Sequence, residues 1–245
     1  MSPRPPDLDR LFTDGGEHGL SSGHTATVRI VAGPDLRLPS GRLVACEPGT
    51  RFPEGARRAT FVQRVEPGAY PVELAVADVA GLGPRGAGLP YIAAARLAVR
   101  REPVAAWRPA LLEGQDEADL DDGAYYGYPV DAGVGAFGST EVFDSLSGPG
   151  ADDDTAEDVW DLTHDLEDHD RAGAYTDPVT GANVVFFCTG EGDGHYGTWV
   201  GYTAGGAVAC FVTVFMFVSG AGGPGGEGEE DRARDRGPLG PAPAP

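Results

Sequence analysis

The sequence predicts an α+β fold: a largely antiparallel β-sheet domain with one or two inserted acidic helices. Three observations lead there. Short apolar or alternating runs recur along most of the chain, each bounded by Gly, Pro or Asp. Residues 152–173 alone space their apolar side chains at helical intervals. Finally, 38 Gly and 21 Pro among 245 residues are too many breakers for a helical protein and suit a chain of many turns.

Three regions follow from composition. Residues 1–24 are polar and rich in Pro, Gly and His, and read as a flexible N-terminal arm. Residues 25–218 carry the apolar runs and form one α+β domain. Residues 219–245 are a Gly/Pro-rich tail with almost no apolar bulk, expected to be disordered because burial cannot offset its ordering entropy. Within the domain, ATVRIVAG (26–33) and GRLVACEP (41–48) read as strands separated by Gly-Pro-Asp and Pro-Ser-Gly turns. ATFVQRV (59–65) and YPVELAVADVA (70–80) read as a hairpin around Glu66-Pro67-Gly68. Residues 93–99 and 104–112 suggest a further pair, although the alanines of the first also permit a helix. In DDDTAEDVWDLTHDLEDHDRAG (152–173), Ala156, Val159, Leu162 and Leu166 line one narrow stripe of an acidic helix. NVVFFCT (183–189), TWVGY (198–202) and AVACFVTVFMFV (207–218) complete the sheet. The last is apolar on both faces and so belongs at its centre.

Charge excludes several functions. The net charge is −20, and a general nucleic-acid binder or an anionic-membrane binder needs the opposite sign. The acidity is local: residues 113–177 hold 20 of the 38 acids and one arginine, leaving 18 acids against 17 arginines elsewhere. No lysine is present, which removes Schiff-base and P-loop chemistry. Cys46, Cys188 and Cys210 sit in apolar runs without CxxC spacing and read as buried thiols. MSPRPPDLDR lacks an apolar signal core, and the longest apolar run, Ala207–Val218, falls short of the ~20 residues a bilayer requires. A cytoplasmic protein is expected.

Two loops concentrate the chemistry. In TGEGDGHYGTW (189–199), four glycines surround Glu191, Asp193, His195 and Tyr196. Glycines permit close backbone approach, and a carboxylate with an imidazole can bind a metal or exchange protons. The same Asp-Gly pair is equally a turn former. In YYGYPVDAGVGAF (125–137), Asp131 is the lone charge of a long neutral run, either a hydrogen-bond hub or a functional acid. Asp131, Asp193, His195 and Glu191 are the candidate catalytic residues, Asp131 and Asp193 the candidate metal ligands. Tyr126, Tyr128, Gly192, Gly194, Tyr196 and Trp199 are the candidate binding surface. The i, i+4 pairs of the acidic helix, such as His164 with Asp168, are the pairs any acid-rich helix produces.

LPSGRLVACEP (38–48), EPGAYPVELAVA (66–77), GYPVDAGVGAF (127–137) and GEGDGHYGTWVGYTAGGAVACFVTVF (190–215) together resemble a bacterial family known as domain of unknown function 4241. Asp131 with Gly133, and Asp193 with Gly194 and Tyr196, match the family's Val-Asp-Ala-Gly and Gly-Asp-Gly-x-Tyr blocks. Glu47 and Val214 stand where relatives often carry Asp, and Gly197 where they often carry Pro. The resemblance implies a shared fold and face, without an activity. Two functions remain: a non-catalytic binding module, immunity-like or regulatory, whose acidic surface takes a basic protein partner; or a metal-assisted hydrolase built from the Asp131 and Asp193 loops, for which a divalent metal is the one cofactor conceivable.

Overall fold

The computed structural model describes residues 7–20, 23–48, 60–81, 89–121, 124–147, 159, 161–163, 166, 170–190 and 192–215. In chain order the elements are α1 (Leu8–Leu11), β1 (Glu17–Gly19), β2 (Thr25–Leu38), β3 (Arg42–Cys46), β4 (Thr60–Arg64), β5 (Gly68–Val79), β6 (Leu89–Ala98), β7 (Ala106–Pro109), β8 (Gly127–Val130), β9 (Val134–Ser139), α2 (Thr140–Ser147), β10 (Ala172–Thr176), β11 (Asn183–Cys188), β12 (Gly194–Tyr202) and β13 (Val208–Val214). They build two antiparallel sheets packed face to face. The large sheet runs β1-β2-β5-β6-β13-β12-β7, with β8 also on β12; the small sheet runs β10-β11-β9-β3-β4. The expected antiparallel sheet and few helices are both present, with the strands divided between two layers.

Alternation sorts the core. Along β5, Val72, Leu74 and Val76 point between the sheets, where they meet Leu43, Phe61, Phe137, Val185 and Phe187 of the small sheet. Ala75, Ala77 and Val79 point outward into a second apolar cluster that includes Leu8 and Leu11 of α1. The outer face of the small sheet has its own cover, as Val142, Phe143 and Leu146 of α2 pack on Val44, Ala136, Val184 and Phe186. Both sheets are therefore buried on both faces, and their strands are apolar runs. Each fully buried Leu or Phe contributes about 1.5–3 kcal/mol.

Several expectations need correction. The 59–80 segment is not a hairpin: β4 pairs with β3 and β5 pairs with β2 and β6. β5 is apolar on both faces and takes a central place. β4 leaves Val62 50% exposed and carries Gln63 and Arg64, which suits an edge. The chain therefore crosses between layers at Glu66–Pro67. Residues 93–112 likewise do not pair together: β6 lies between β5 and β13 while β7 lies on β12. Gly33-Pro34-Asp35 is not a turn. β2 continues through it with a register shift between Ala32 and Asp35, because Pro34 has no N–H for the ladder. That irregularity carries β2 to the small sheet, where the Asn183 amide donates to Asp35 O (2.9 Å) and accepts from Arg37 N–H (2.6 Å).

The segment expected to be a loose arm is packed over residues 7–20: α1 and β1 dock on the large sheet, with Leu8 and Leu11 buried. Most of the acidic helix expected at 152–173 lies outside the described residues; Val159 and 161–163 are helical, and 172–176 is strand β10. The 219–245 tail lies outside them entirely. Helix α2 was not foreseen; its signal is Ser139, whose hydroxyl caps Val142 N–H at 3.2 Å, ahead of the spaced Val142, Phe143 and Leu146.

Candidate functional site

One edge of the large sheet gathers the loops of interest. β7 and β8 lie end to end along the same side of β12: Trp199–Tyr202 pair with Ala106–Pro109, and Gly194–Gly197 pair with Gly127–Val130. The acidic residues 113–121 form the connection that leaves β12 after β7 and returns to it at β8. The two glycine-rich blocks thus meet in register, with Val130 opposite Gly194. Asp131 follows the first of these residues and Asp193 precedes the second. Their turns touch, since a Cβ built on Gly133 would lie 3.8 Å from Gly192 Cα.

The turns are held from beneath. Gly133 and Gly192 have φ of +66° and +85°, which glycine adopts without the Cβ penalty. Glu47, at the end of β3, is buried, and its Oε1 accepts from Asp131 N–H (2.9 Å) and Ala132 N–H (2.6 Å). Successive N–H groups converging on one carboxylate make a small anion nest filled from within the chain. Across the gap, Thr189 N–H donates to Gly133 O (2.9 Å), and Gly192 O accepts from the hydroxyls of Thr189 (2.6 Å) and Tyr196 (2.7 Å).

The structure separates the candidates. The side chains of Asp131, Asp193 and His195 are exposed and make no hydrogen bond or ion pair among the described residues. Tyr126 is half-buried, and its hydroxyl donates to Asp116 O (3.0 Å), lacing β8 to the acidic connection. Gly192 and Gly194 are half-buried at the turn. Glu191 lies outside the described residues. Tyr128, Tyr196 and Trp199 are core residues, which corrects their expected place on a binding surface. Tyr128 and Tyr196 point between the sheets, where the Tyr196 ring meets Phe215 edge-on at 5.1 Å. Trp199 points to the opposite, outer face of the large sheet. Burial pushes the Tyr128 phenol far above its ordinary value; its hydroxyl lies 3.1 Å from Thr213 Oγ1, which donates in turn to Gly197 O (3.3 Å).

The glycines have packing roles that spacing alone did not reveal. A Cβ at Gly190 would fall 2.4 Å from Ile92 O, and one at Gly197 2.6 Å from the Tyr125 ring. Glu47 is the residue that sequence reasoning missed as a structural hub. Its signal was a lone acid ending an apolar strand. Val214 is buried among the outer apolar residues of the large sheet, on the opposite face from Thr213.

Among the described residues no group of three or more His, Cys, Asp or Glu stands close enough to hold a metal ion. The hydroxyls of Tyr128, Thr189, Tyr196 and Thr213 are engaged by backbone carbonyls or one another, while the buried Thr198 hydroxyl has no partner among the described residues. What the edge presents is a line of solvent-facing acids: Glu113, Asp116, Asp119 and Asp121 on the connection, and Asp131 and Asp193 at its return. Arg108 on β7 pairs with Glu117, at 3.1 Å.

Fold and edge together define a two-layer antiparallel β protein with an acid-lined loop on one sheet margin. A family model described as a protein of unknown function (DUF4241) matches residues 36–213, so the chain belongs to that family. No curated protein and no solved structure matches the chain. No helix among the described residues is long and apolar enough to cross a membrane.

Proposed function

We propose that the protein is a non-catalytic binding module of the cytoplasm, immunity-like or regulatory, which holds a basic protein partner along the β7–β8 edge. One observation carries this reading. The acidic connection does not trail from the fold but begins and ends on one strand, β12, so its carboxylates are presented on a fixed margin beside Asp131 and Asp193. A like-charged margin raises the local concentration of a basic partner and speeds its encounter. The further acids at 152–170 extend the same charge in the sequence.

The test is binding of a fluorescent arginine-rich peptide, followed by anisotropy at low and high salt. Neutralising Asp116, Asp119, Asp121, Asp131 and Asp193 to Asn is expected to weaken binding at least tenfold. Neutralising five exposed acids elsewhere (Asp9, Asp35, Glu66, Glu102 and Asp144) is expected to weaken it only slightly. Equal losses from the two sets would overturn the proposal, because net charge rather than this edge would then hold the peptide.

A further inference from the structure

The N-terminal arm lies outside the family-matched residues 36–213, yet it covers a full apolar face. Leu8 and Leu11 share one apolar cluster with Ala75, Ala77, Ala93, Ala94, Cys210 and Val212, and Phe12 packs under the Arg96 guanidinium, 4.2 Å from its ring centre. The attachments are local. Gly15 N–H donates to Val28 O and Val28 N–H to Gly16 O, both at 2.8 Å, and β1 adds three residue pairs to β2.

Beneath this cover lies His18, only 3% exposed, with Nε2 buried and without a hydrogen-bond partner among the described residues. Nε2 faces the turn before β1, where a Cβ on Gly16 would come within 3.4 Å of it. The charged groups that act on the ring are both on α1: Arg10, whose guanidinium donates to Glu17 O (2.9 Å), and Asp7, the α1 cap. β2 sets Ala26 opposite His18, and β5 sets Val79 beyond it, so neither strand offers a counter-charge at that register.

We propose that the arm is an acid-released cover, with His18 as its latch: the neutral imidazole packs beneath α1, and the protonated one, lacking an acceptor at Nε2 and facing Arg10, drives the arm off the sheet. Burial first, and then the Arg10 charge, lowers the proton affinity of His18; a backbone hydrogen bond at Arg10 and the Asp7 carboxylate act weakly the other way. Docking therefore favours the neutral ring. It is strongest above the ordinary histidine value and weakens as pH falls through that value toward the lower docked one. Release uncovers Cys210, whose thiol burial pushes up to about 11 in the docked state.

Two readouts on the full-length chain test this: amide exchange at Val28, corrected for the intrinsic effect of pH, and methanethiosulfonate labelling of Cys210, read by peptide mass spectrometry and normalised to glutathione. Between pH 7.5 and pH 5.5 both are expected to rise at least about threefold in the parent protein. His18→Phe should abolish the rise. Arg10→Met, which removes the neighbouring cation and narrows the gap between the docked and released values, should make the rise smaller, so the latch is tested even if His18→Phe leaves the arm open at every pH. Equal exchange and labelling at the two pH values in the parent protein would overturn the proposal. So would an acid response that survives in His18→Phe, or an Arg10→Met rise as large as the parent protein's.

Discussion

The two long margins of the sandwich are closed by different means. On one, the irregularity in β2 brings Asp35 and Arg37 to Asn183, a fully buried amide that satisfies both backbone partners. Arg29 adds ion pairs to Asp78, at 3.0 Å, and to Asp170. On the other, β4 and the chain beyond β7 are joined through Gln63, which accepts from Leu111 N–H (3.2 Å) and donates to Pro109 O (3.5 Å), and through Val62 N–H to Leu111 O (2.8 Å). The first margin is specified by one buried side chain. The second is half-open, and there the acidic connection emerges. The difference teaches that this fold can carry charge on one flank because the opposite flank, with the core, holds the layers together.

The sharpest way to break that contrast is Asn183→Leu. It keeps the branched outline of the side chain but leaves Arg37 N–H and Asp35 O without partners, and a loss of about 2–4 kcal/mol in denaturant unfolding is expected. Glu47→Ala should follow at about 2 kcal/mol, since two turn N–H groups lose their acceptor. Gln63→Ala, on the half-open margin, should lose about 1 kcal/mol or less. A Gln63 loss equal to that of Asn183 would erase the distinction between the margins. The Asn variants of Asp116, Asp119 and Asp121 should change stability least, by less than about 0.5 kcal/mol.

A pH titration sharpens the same contrast. Asp177 turns the β10–β11 hairpin on the Asn183 margin, accepting from Thr180 Oγ1 (2.6 Å) and Val179 N–H (2.9 Å). The Thr180 hydroxyl first, then the Val179 amide, hold its carboxyl below the ordinary value. Its contribution is therefore complete above the ordinary carboxylate range and is lost as pH falls through the lowered one. Asp177→Asn should flatten that acid slope, read from the denaturation midpoint between pH 6 and pH 3.

The strands were legible because apolar runs between breakers need no knowledge of partners. Residues 183–188 and the central β13 follow directly from composition. Pairing was less so. β4 and β5 are adjacent in sequence, but the number of apolar faces of each strand, not proximity, decides whether it lies at an edge or inside a sheet. That the blocks around Asp131 and Asp193 meet could be expected from their shared glycine-rich character. That Glu47 pins one of them could not, since the contact spans 84 residues. Tyrosine was the least informative residue. Tyr126 and Tyr128 are two apart on or beside one strand, and only the sheet beneath decides that the second is buried while the first reaches Asp116.

The connection that leaves and rejoins β12 has an evolutionary corollary. Because both of its anchors lie on one strand, its middle can lengthen, shorten or change composition without shifting the register of any ladder. The stretch at 113–121 is thus a natural graft point, where insertions and substitutions leave the two ladders of β12 unchanged.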